Sequence, residues 1–249
     1  MVANTKAIET RGRVRVERGA KRIRAYLTGE LVADTTRPLL VWEKPQYPTY
    51  YFPAADVSAE LLRADHEVAH SPSRGDAAVF TIFAGGTTRV GAAEHYQESP
   101  FETLRDTIRL GWDAMDAWFE EDEQVFTHPR DPYTRVDILR SSRHVRVEVD
   151  GLTLAETTSP TLLFETGLPV RYYLPKTHVR MNLLTPNDSV SHCPYKGEAE
   201  YWSLEHDDLR ANIAWSYRTP LPEAQKIAAL ISFYTDKVDL YVDGILIGE

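Results

Sequence analysis

The stretch that decides the fold is His192-Cys193-Pro194-Tyr195-Lys196-Gly197-Glu198-Ala199, because it recurs as His70-Ser71-Pro72-Ser73-Arg74-Gly75-Asp76-Ala77. Around it, residues 24–77 align with residues 146–199 at a constant offset of 122 and without a gap. Of these 54 pairs 19 are identical, which is more than chance gives, so the chain is a tandem duplication. We predict a first domain at 1–126, a linker at 127–137 and a second domain at 138–249.

Apolar periodicity predicts mainly β structure. Residues 145–149 and 152–156 alternate with period two around Asp150-Gly151, as in a β-hairpin. Further strand-like runs in the second copy are 161–165, 171–174, 199–204, 212–217 and 238–242. Two apolar stripes at helical spacing predict one covering helix in each domain. They are Phe101, Leu104, Ile108, Trp112, Met115 and Phe119 in the first domain, and Ala224, Ile227, Ala228, Ile231 and Tyr234 in the second. The expected fold class is mainly β (α+β), with two tandem antiparallel sheet domains.

Composition indicates a soluble globular protein, with 43% hydrophobic and 26% charged residues. No apolar run approaches the roughly 20 residues that span a bilayer, and residues 1–24 lack the apolar core of a signal peptide. We therefore expect a cytoplasmic protein without a membrane partner. The single cysteine, Cys193, excludes an internal disulfide and a multi-cysteine zinc site.

The charge balance argues against a nucleic-acid partner, since the net charge is -9 and phosphate contacts need a basic surface. Residues 11–24 are the exception, because seven of the fourteen are basic. Their alternation is typical of an edge strand with a charged solvent face. A polyanion-binding arm is the alternative.

The segment His66-Glu67-Val68-Ala69-His70 spells the zinc-protease pattern, which requires a helix that turns both histidines to one face. The repeat argues against it, because the equivalent segment, residues 188–192, keeps only the last histidine and follows Pro186. We expect no metal and no cofactor.

The recurring turn offers candidate chemistry in its second copy. A thiol beside a histidine and a lysine is a potential nucleophile, so Cys193, His192 and Lys196 are the candidate catalytic residues. The alternative is that Cys193 is a small buried filler, as lone cysteines usually are. Its replacement by Ser71 in the first copy shows that the fold does not need sulfur.

Other polar and aromatic residues around the repeated segments are candidates for ligand binding. They are Glu165, Arg171, Tyr172 and Tyr195 in the second copy, and Glu43, Tyr50, His70 and Arg74 in the first. We expect a small-molecule pocket in each domain, best kept in the second repeat, with the two repeats packed as a pseudo-dimer. A non-catalytic dimerisation or scaffold module with a structural His-x-Pro turn is the alternative, and whether the protein is an enzyme stays open.

Four motifs of the second half carry a family resemblance: ETGLP at 165–169, RYYLP at 171–175, HCPYKG at 192–197 and AWSY at 214–217. They resemble the bacterial domain-of-unknown-function family 427. The resemblance implies a β-tent-like fold, whose other members commonly hold a structural zinc on paired cysteines that this chain lacks. The family is sometimes labelled a nucleotidyltransferase, so the resemblance implies that activity as a further alternative, although the sequence has no Gly-Ser followed by paired catalytic aspartates. The first copy departs at Ser71, Ser73 and the turn of residues 44–47, so its site is expected to be altered or lost.

Overall fold

A computed structural model describes residues 9–11, 14–205 and 211–247. Strands and short 3-10 helices form the regular structure, and no α-helix occurs in this described part of the chain. Across the same residues no helix is long and apolar enough to cross a membrane. The chain divides into two units between Asp131 and Pro132. The mainly β class predicted from the sequence is confirmed.

The first unit contains twelve described strands in two antiparallel sheets. The strands are β1 (Glu9–Arg11), β2 (Val14–Arg18), β3 (Ile23–Leu27), β4 (Glu30–Thr35), β5 (Leu39–Trp42), β6 (Thr49–Pro53), β7 (Leu62–Ser71), β8 (Gly75–Ala84), β9 (Thr87–His95), β10 (Thr107–Leu110), β11 (Ala117–Glu120) and β12 (Glu123–Val125). One sheet has the order β1-β2-β5-β6-β10-β9-β8-β7, and the other has the order β12-β11-β3-β4. The described 3-10 helices are Ala54–Asp56, Ala59–Leu61, Glu102–Leu104 and Trp112–Ala114.

The second unit contains eleven described strands in three antiparallel sheets. The strands are β13 (Val136–Arg140), β14 (Val145–Val149), β15 (Leu152–Thr157), β16 (Thr161–Glu165), β17 (Arg171–Tyr173), β18 (Leu184–Cys193), β19 (Gly197–Leu204), β20 (Ala214–Ser216), β21 (Ser232–Phe233), β22 (Asp239–Val242) and β23 (Ile245–Ile247). The sheet orders are β13-β16-β17, β15-β14-β22-β23 and β18-β19-β20-β21. The described 3-10 helices are Lys176–His178, Met181–Leu183 and Pro222–Ile227.

The strand orders of the two units correspond, with β2 matching β13 and each later strand of the first unit matching the next of the second. The apparent break in the second unit lies between β17 and β21. There Leu174 and Ile231 form a bridge through two backbone hydrogen bonds of 2.7 and 2.9 Å, at the place where β6 pairs with β10 in the first unit. The duplication therefore extends beyond residues 24–77 to the rest of each sheet.

The predicted hairpin turn at Asp150-Gly151 joins β14 to β15, and Thr28-Gly29 joins β3 to β4 in the same way. Both central residues of each turn have positive φ, 49° and 78° in the second unit and 50° and 78° in the first. Such angles are those of the type I′ turn, whose twist matches that of paired strands and which favours glycine at its second position.

Each unit has two hydrophobic clusters, and adjacent tyrosines enter different ones. In β6, Tyr50 lies in the cluster around Trp118, and Tyr51 lies in the cluster around Tyr96. This follows from the alternation of side chains along a strand. The sheet through β6 is therefore covered on both faces.

The predicted covering helix of the first unit is wrong. Its sequence instead forms two 3-10 turns that alternate with β10 and β11. Phe101 and Leu104 belong to one core cluster, and Ile108 and Met115 belong to the other. Because the segment is buried on both faces, its apolar spacing imitates a helical stripe, although the residues serve two cores.

The second predicted helix is also wrong. Pro222–Ile227 is a six-residue 3-10 helix that buries Ala224 and Ile227, and the chain then turns at Ala229, where φ is 59°. The bridge at Ile231 and strand β21 follow. The apolar residues of this stripe are thus shared between a short helix and a sheet.

Candidate functional site

The recurring signature is the end of a strand and a tight turn. His192 and Cys193 are the last residues of β18, and the turn of residues 194–196 leads to β19 at Gly197. Gly197 has φ +98°, and a Cβ there would lie 3.5 Å from the backbone nitrogen of Leu221. The glycine is therefore required by its backbone conformation, and the turn has the same geometry at Gly75, where φ is +85°.

The histidine and the cysteine of this turn point in opposite directions. They are successive residues of β18, paired with Glu198 and Gly197 across the hairpin, so their side chains lie on opposite faces of the sheet. His192 Nε2 lies 3.1 Å from Oε2 of Glu198. The equivalent His70 is exposed, with its Nδ1 2.6 Å from Oδ1 of Asp76. The imidazole of the signature thus faces an acidic residue at the surface in both units.

Lys196 lies on the buried side of the turn, where its ammonium donates a hydrogen bond to the carboxylate of Glu165. The two side chains are only 11% and 7% exposed, so this is a buried ion pair. Each partner offsets the desolvation cost of the other, and removal of one would leave an uncompensated buried charge. The structure therefore brings two of the predicted residues into direct contact.

An aromatic cluster lies beside this ion pair. Cys193 is half-buried and packs against a cluster that contains Tyr173, Trp215 and Tyr217. Trp215 Nε1 donates a hydrogen bond of 3.2 Å to the hydroxyl of Tyr173. Burial raises the pKa of Tyr173 and of Tyr217 above the ordinary tyrosine value, so both phenols stay protonated near neutral pH. The thiol therefore lies in largely apolar, aromatic surroundings.

The other predicted residues of the second unit are dispersed. Arg171 is half-buried with its guanidinium carbon 5.7 Å from the ring centroid of Trp215, and it forms no ion pair within the described ranges. Tyr172 is buried in the opposite core. Tyr195 is half-buried in the turn itself. Arg171 and the Glu165 ion pair thus share the aromatic face, whereas Tyr172 does not.

The first unit has the same charged contact in an altered form. Arg74 Nη1 lies 3.0 Å from Oε1 of Glu43, the residues that correspond to Lys196 and Glu165. The hydroxyl of Tyr51 donates a hydrogen bond of 2.9 Å to Glu43 and accepts one of 2.6 Å from Arg74. Burial raises the pKa of Tyr51 well above its ordinary value, and the carboxylate of Glu43 adds to this. Tyr51 is therefore a neutral bridge between the two charges.

Two residues that sequence reasoning missed extend this contact into a network of four charges. Arg109 Nη1 lies 3.2 Å from Oε1 of Glu94, and Arg109 Nε lies 3.5 Å from Oε1 of Glu43. Arg74 Nη1 is 3.9 Å from Oε2 of Glu94. Two carboxylates thus face two guanidiniums, and the formal charges cancel. In the second unit the residues of the same register are Trp215 and Ser232, which carry no charge, and the Glu165–Lys196 pair is kept.

A cavity of about 340 Å³ opens beside this network in the first unit. Its wall contains five aromatic side chains together with charged side chains and small residues. The lining residues are Glu43, Lys44, Tyr47, Pro48, Thr49, Tyr50, Arg109, Leu110, Gly111, Trp112, Asp113, Ala114, Trp118, Thr127, His128 and Pro129. The predicted residues Glu43 and Tyr50 are part of this wall, whereas Arg74 contacts it through Glu43.

Tyr50 is held in the cavity wall by a buried carboxylate. Its hydroxyl donates a hydrogen bond to Glu120, which is 5% exposed and also lies 2.5 Å from the ammonium of Lys21. Burial raises the pKa of Tyr50 well above its ordinary value, and the charge of Glu120 adds to the effect. The ring of Tyr50 is therefore fixed at one end, which gives the cavity a preformed wall.

The chain that leaves the first unit forms another part of the wall. The ring of His128 stacks on Tyr47 with centroids 4.0 Å apart and planes within 8°. Beyond it, Trp42 Nε1 donates a hydrogen bond of 2.7 Å to Oδ2 of Asp131, and both side chains are buried. Residues 127–131 thus belong to the first unit, although the sequence placed them in a linker.

The corresponding place in the second unit is closed. A gap too small to admit a water molecule lies between Val170, Arg171, Tyr172, Phe233 and Thr235. By strand register, Arg171 stands where the cavity wall has Thr49, and Phe233 stands where it has Leu110. Both positions carry a larger side chain in the second unit than in the first.

Sequence reasoning missed most of the cavity for an identifiable reason. Trp112 was placed on a helical stripe, and Glu94 and Arg109 lie beyond residue 77, where the constant offset ends. Gly111 corresponds to Tyr234 of the second copy, so the two copies differ here by a large side chain. Across the described ranges, no three histidine, cysteine, aspartate or glutamate residues are grouped so as to hold a metal ion.

Comparison with known proteins identifies a family but no activity. The family model described as a domain of unknown function (DUF427) matches residues 15–121 and again residues 137–244. The two matches together cover most of the chain and coincide with the two repeats. No curated protein matches the sequence.

Proposed function

Because the chain belongs to the domain-of-unknown-function family 427 in two tandem copies, a description that names no activity, we propose a function from the geometry. The protein binds one small organic molecule per chain, in the cavity of the first unit. The observation that carries this proposal is the volume of about 340 Å³, which falls in the range of about 300–1,000 Å³ usual for small-molecule sites.

The composition of the wall supports the proposal. Ligand sites typically combine aromatic surface with a few placed polar groups, and here Tyr50, Trp112 and Trp118 adjoin Glu43 and Arg109. The polar groups are held by the ion pairs described above, and Tyr50 is held by Glu120. A wall preorganised in this way costs little to order when a ligand binds. The equivalent space in the second unit is closed, which is why we place the site in the first repeat.

The test is a thermal-shift screen of the full chain against a library of metabolites. A ligand present at about 100 times its Kd stabilises the folded state by about 2.7 kcal/mol, which raises Tm. Isothermal titration of each hit is expected to give one site per chain. Gly111→Tyr, which adds a large ring to the cavity wall, should abolish the shift, while Gly111→Ala should retain it. A library without hits, or hits that Gly111→Tyr leaves unchanged, would refute the proposal.

A scaffold or dimerisation role has one observation in its favour. The ten-residue strands β7 and β18 lie at the ends of their sheets, and Val68 and Val190 are exposed there at equivalent positions, 66% and 55%. Outer strands with apolar side chains are templates for pairing with another chain. Light scattering during size-exclusion chromatography, with Val68→Lys and Val190→Lys, tests this role. A monomer at all concentrations would exclude self-pairing through these strands.

A further inference from the structure

The charges of the first-unit cavity limit the ligands that suit it, and this inference rests on the function proposed above. The four half-buried charges in and beside the wall, Glu43, Arg74, Glu94 and Arg109, compensate one another at distances of 3.0 to 3.9 Å. A charged ligand group would lose hydration here without meeting an uncompensated partner. Lys44 and Asp113, the remaining charged wall residues, are exposed and of opposite sign. The cavity therefore favours a ligand whose buried part is uncharged.

The aromatic side chains present flat surfaces. Trp112 stacks on Trp118 with centroids 4.8 Å apart and planes within 4°, and Tyr47 stacks on His128 in the same manner. Each pair is already stacked within the protein, so its orientation is fixed before a ligand arrives. Aromatic rings in offset-stacked or edge-to-face contact gain about 0.5–1.5 kcal/mol beyond the burial of their area. Flat walls of this kind favour a planar ligand.

The second unit shows what the first unit lacks beside these walls. Gly111 donates a backbone hydrogen bond of 2.8 Å to Ala92 and accepts one of 3.2 Å from Ala114. Tyr234 makes the equivalent bonds, of 3.0 Å to Ile213 and 2.9 Å from Lys237. The ring of Tyr234 packs against Trp215 with centroids 4.4 Å apart. At the same chain position, the second unit thus has an aromatic ring and the first has a glycine in a cavity wall.

The glycine at this position is not needed for backbone reasons. Gly111 has φ -63° and ψ 127°, which any residue adopts, and an added Cβ would meet only Ala114 Cβ at 3.4 Å and Ala92 O at 3.5 Å. The absence of a side chain at Gly111 leaves space in the cavity wall. Next to that space, the half-buried hydroxyl of Thr49 has no hydrogen-bond partner among the residues that the structure describes, and Arg109 is 27% exposed. Both side chains offer hydrogen bonds to the edge of a ring.

From these observations we infer that the ligand of the first unit is a planar aromatic molecule whose buried part is uncharged and carries a hydrogen-bonding atom on its edge, as in an aryl amide or a nitrogen heterocycle. The ring takes the space left by Gly111, its face lies against the tryptophan pair, and its polar edge is directed to Thr49 and Arg109.

Four probes of similar size test the ligand class. Benzamide, benzoate and benzamidine share one planar shape with neutral, negative and positive charge, and cyclohexanecarboxamide keeps the amide without the aromatic ring. Binding to the full chain is measured by tryptophan fluorescence quenching and by saturation-transfer NMR at neutral pH. We expect benzamide to bind at least about tenfold more tightly than each of the other three, a difference that corresponds to about 1.4 kcal/mol.

Two variants locate the binding. Gly111→Tyr should remove benzamide binding and Gly111→Ala should keep it. Should circular dichroism show that Gly111→Tyr does not fold, Trp112→Leu serves instead, because it keeps an apolar side chain at this position and removes one stacked face. In Trp112→Leu, benzamide should lose its advantage over cyclohexanecarboxamide.

The outcomes separate the ligand class from the proposed function. Tighter binding of benzoate or benzamidine, or equal binding of cyclohexanecarboxamide, overturns the class. The ligand class is also overturned if benzamide does not bind while the metabolite screen yields a ligand that Gly111→Tyr excludes. In that case the proposed function stands. An absence of any ligand in both experiments overturns the two together.

Discussion

The two units share their strand order but differ in the side chains beside the repeated turn. Both carry the same glycine turn, at Gly75 and Gly197, and both bury an acidic residue against the basic residue before that glycine. Around this shared contact the first unit has an open cavity and a four-charge network, whereas the second unit has a closed gap. The repeated motif therefore forms the same local structure in both units. The copies differ at Thr49 and Gly111, which line the cavity of the first unit.

The largest expected effect is the loss of stability on removing the basic residue of the ion pair. Comparison of this loss in the two units tests whether the network of the first unit compensates for it. Lys196→Met leaves the buried carboxylate of Glu165 without its ammonium, so we expect a loss of about 3–5 kcal/mol in the free energy of unfolding. Arg74→Met should cost less, about 1–3 kcal/mol, because Arg109 remains 3.5 Å from Glu43. Urea unfolding followed by circular dichroism measures both, and Lys196→Arg is the control that retains the charge. Equal losses in the two units would show that Arg109 does not share the charge of Glu43.

A smaller effect distinguishes the equivalent tyrosines Tyr50 and Tyr172. Tyr50→Phe removes a hydrogen bond to the buried Glu120, for which we expect a loss of about 1–3 kcal/mol. Tyr172 donates no hydrogen bond within the described part of the chain, so Tyr172→Phe should change stability by less than about 0.5 kcal/mol. Thermal and urea unfolding of the two variants provide the comparison. A loss in Tyr172→Phe as large as that in Tyr50→Phe would contradict it.

The smallest effect concerns the cysteine. Cys193→Ser copies the residue that the first unit has at position 71, so we expect a change in stability of less than about 1 kcal/mol. The same variant tests the nucleophile hypothesis, which the sequence motivated. Iodoacetamide labelling of the wild type across neutral pH, compared with a free model thiol, is the second measurement. Accelerated labelling would support the hypothesis, and labelling no faster than the model thiol would leave Cys193 as a packing residue.

Much of the sheet could be predicted from the sequence, because its signals are local. The alternation at 145–149 and the Asp150-Gly151 turn predicted β14, β15 and their hairpin with bounds within one residue. The helices failed because residues such as Leu104 and Ile108 enter cores on opposite faces of a sheet, a pattern that periodicity alone cannot separate from a helix.

The candidate site was harder to predict than the fold. Glu43 with Arg74, and Glu165 with Lys196, could be found because the repeat preserves them. The cavity arises from residues that differ between the copies, such as Thr49 and Gly111, and a search for repeated positions passes over them. A wall contributed by His128, far from Tyr47 in the sequence, leaves no local signal at all.

The position of His128 in that wall bears on how the protein can be dissected. A cut after residue 126, where the sequence alone would end the first domain, would remove Thr127, His128 and Pro129 from the cavity and Asp131 from its hydrogen bond with Trp42. A fragment ending there would lose one side of the cavity wall, whereas a fragment extended through Asp131 would retain every residue that lines the cavity. Residues 127–131 thus decide whether an isolated first unit keeps a complete cavity wall.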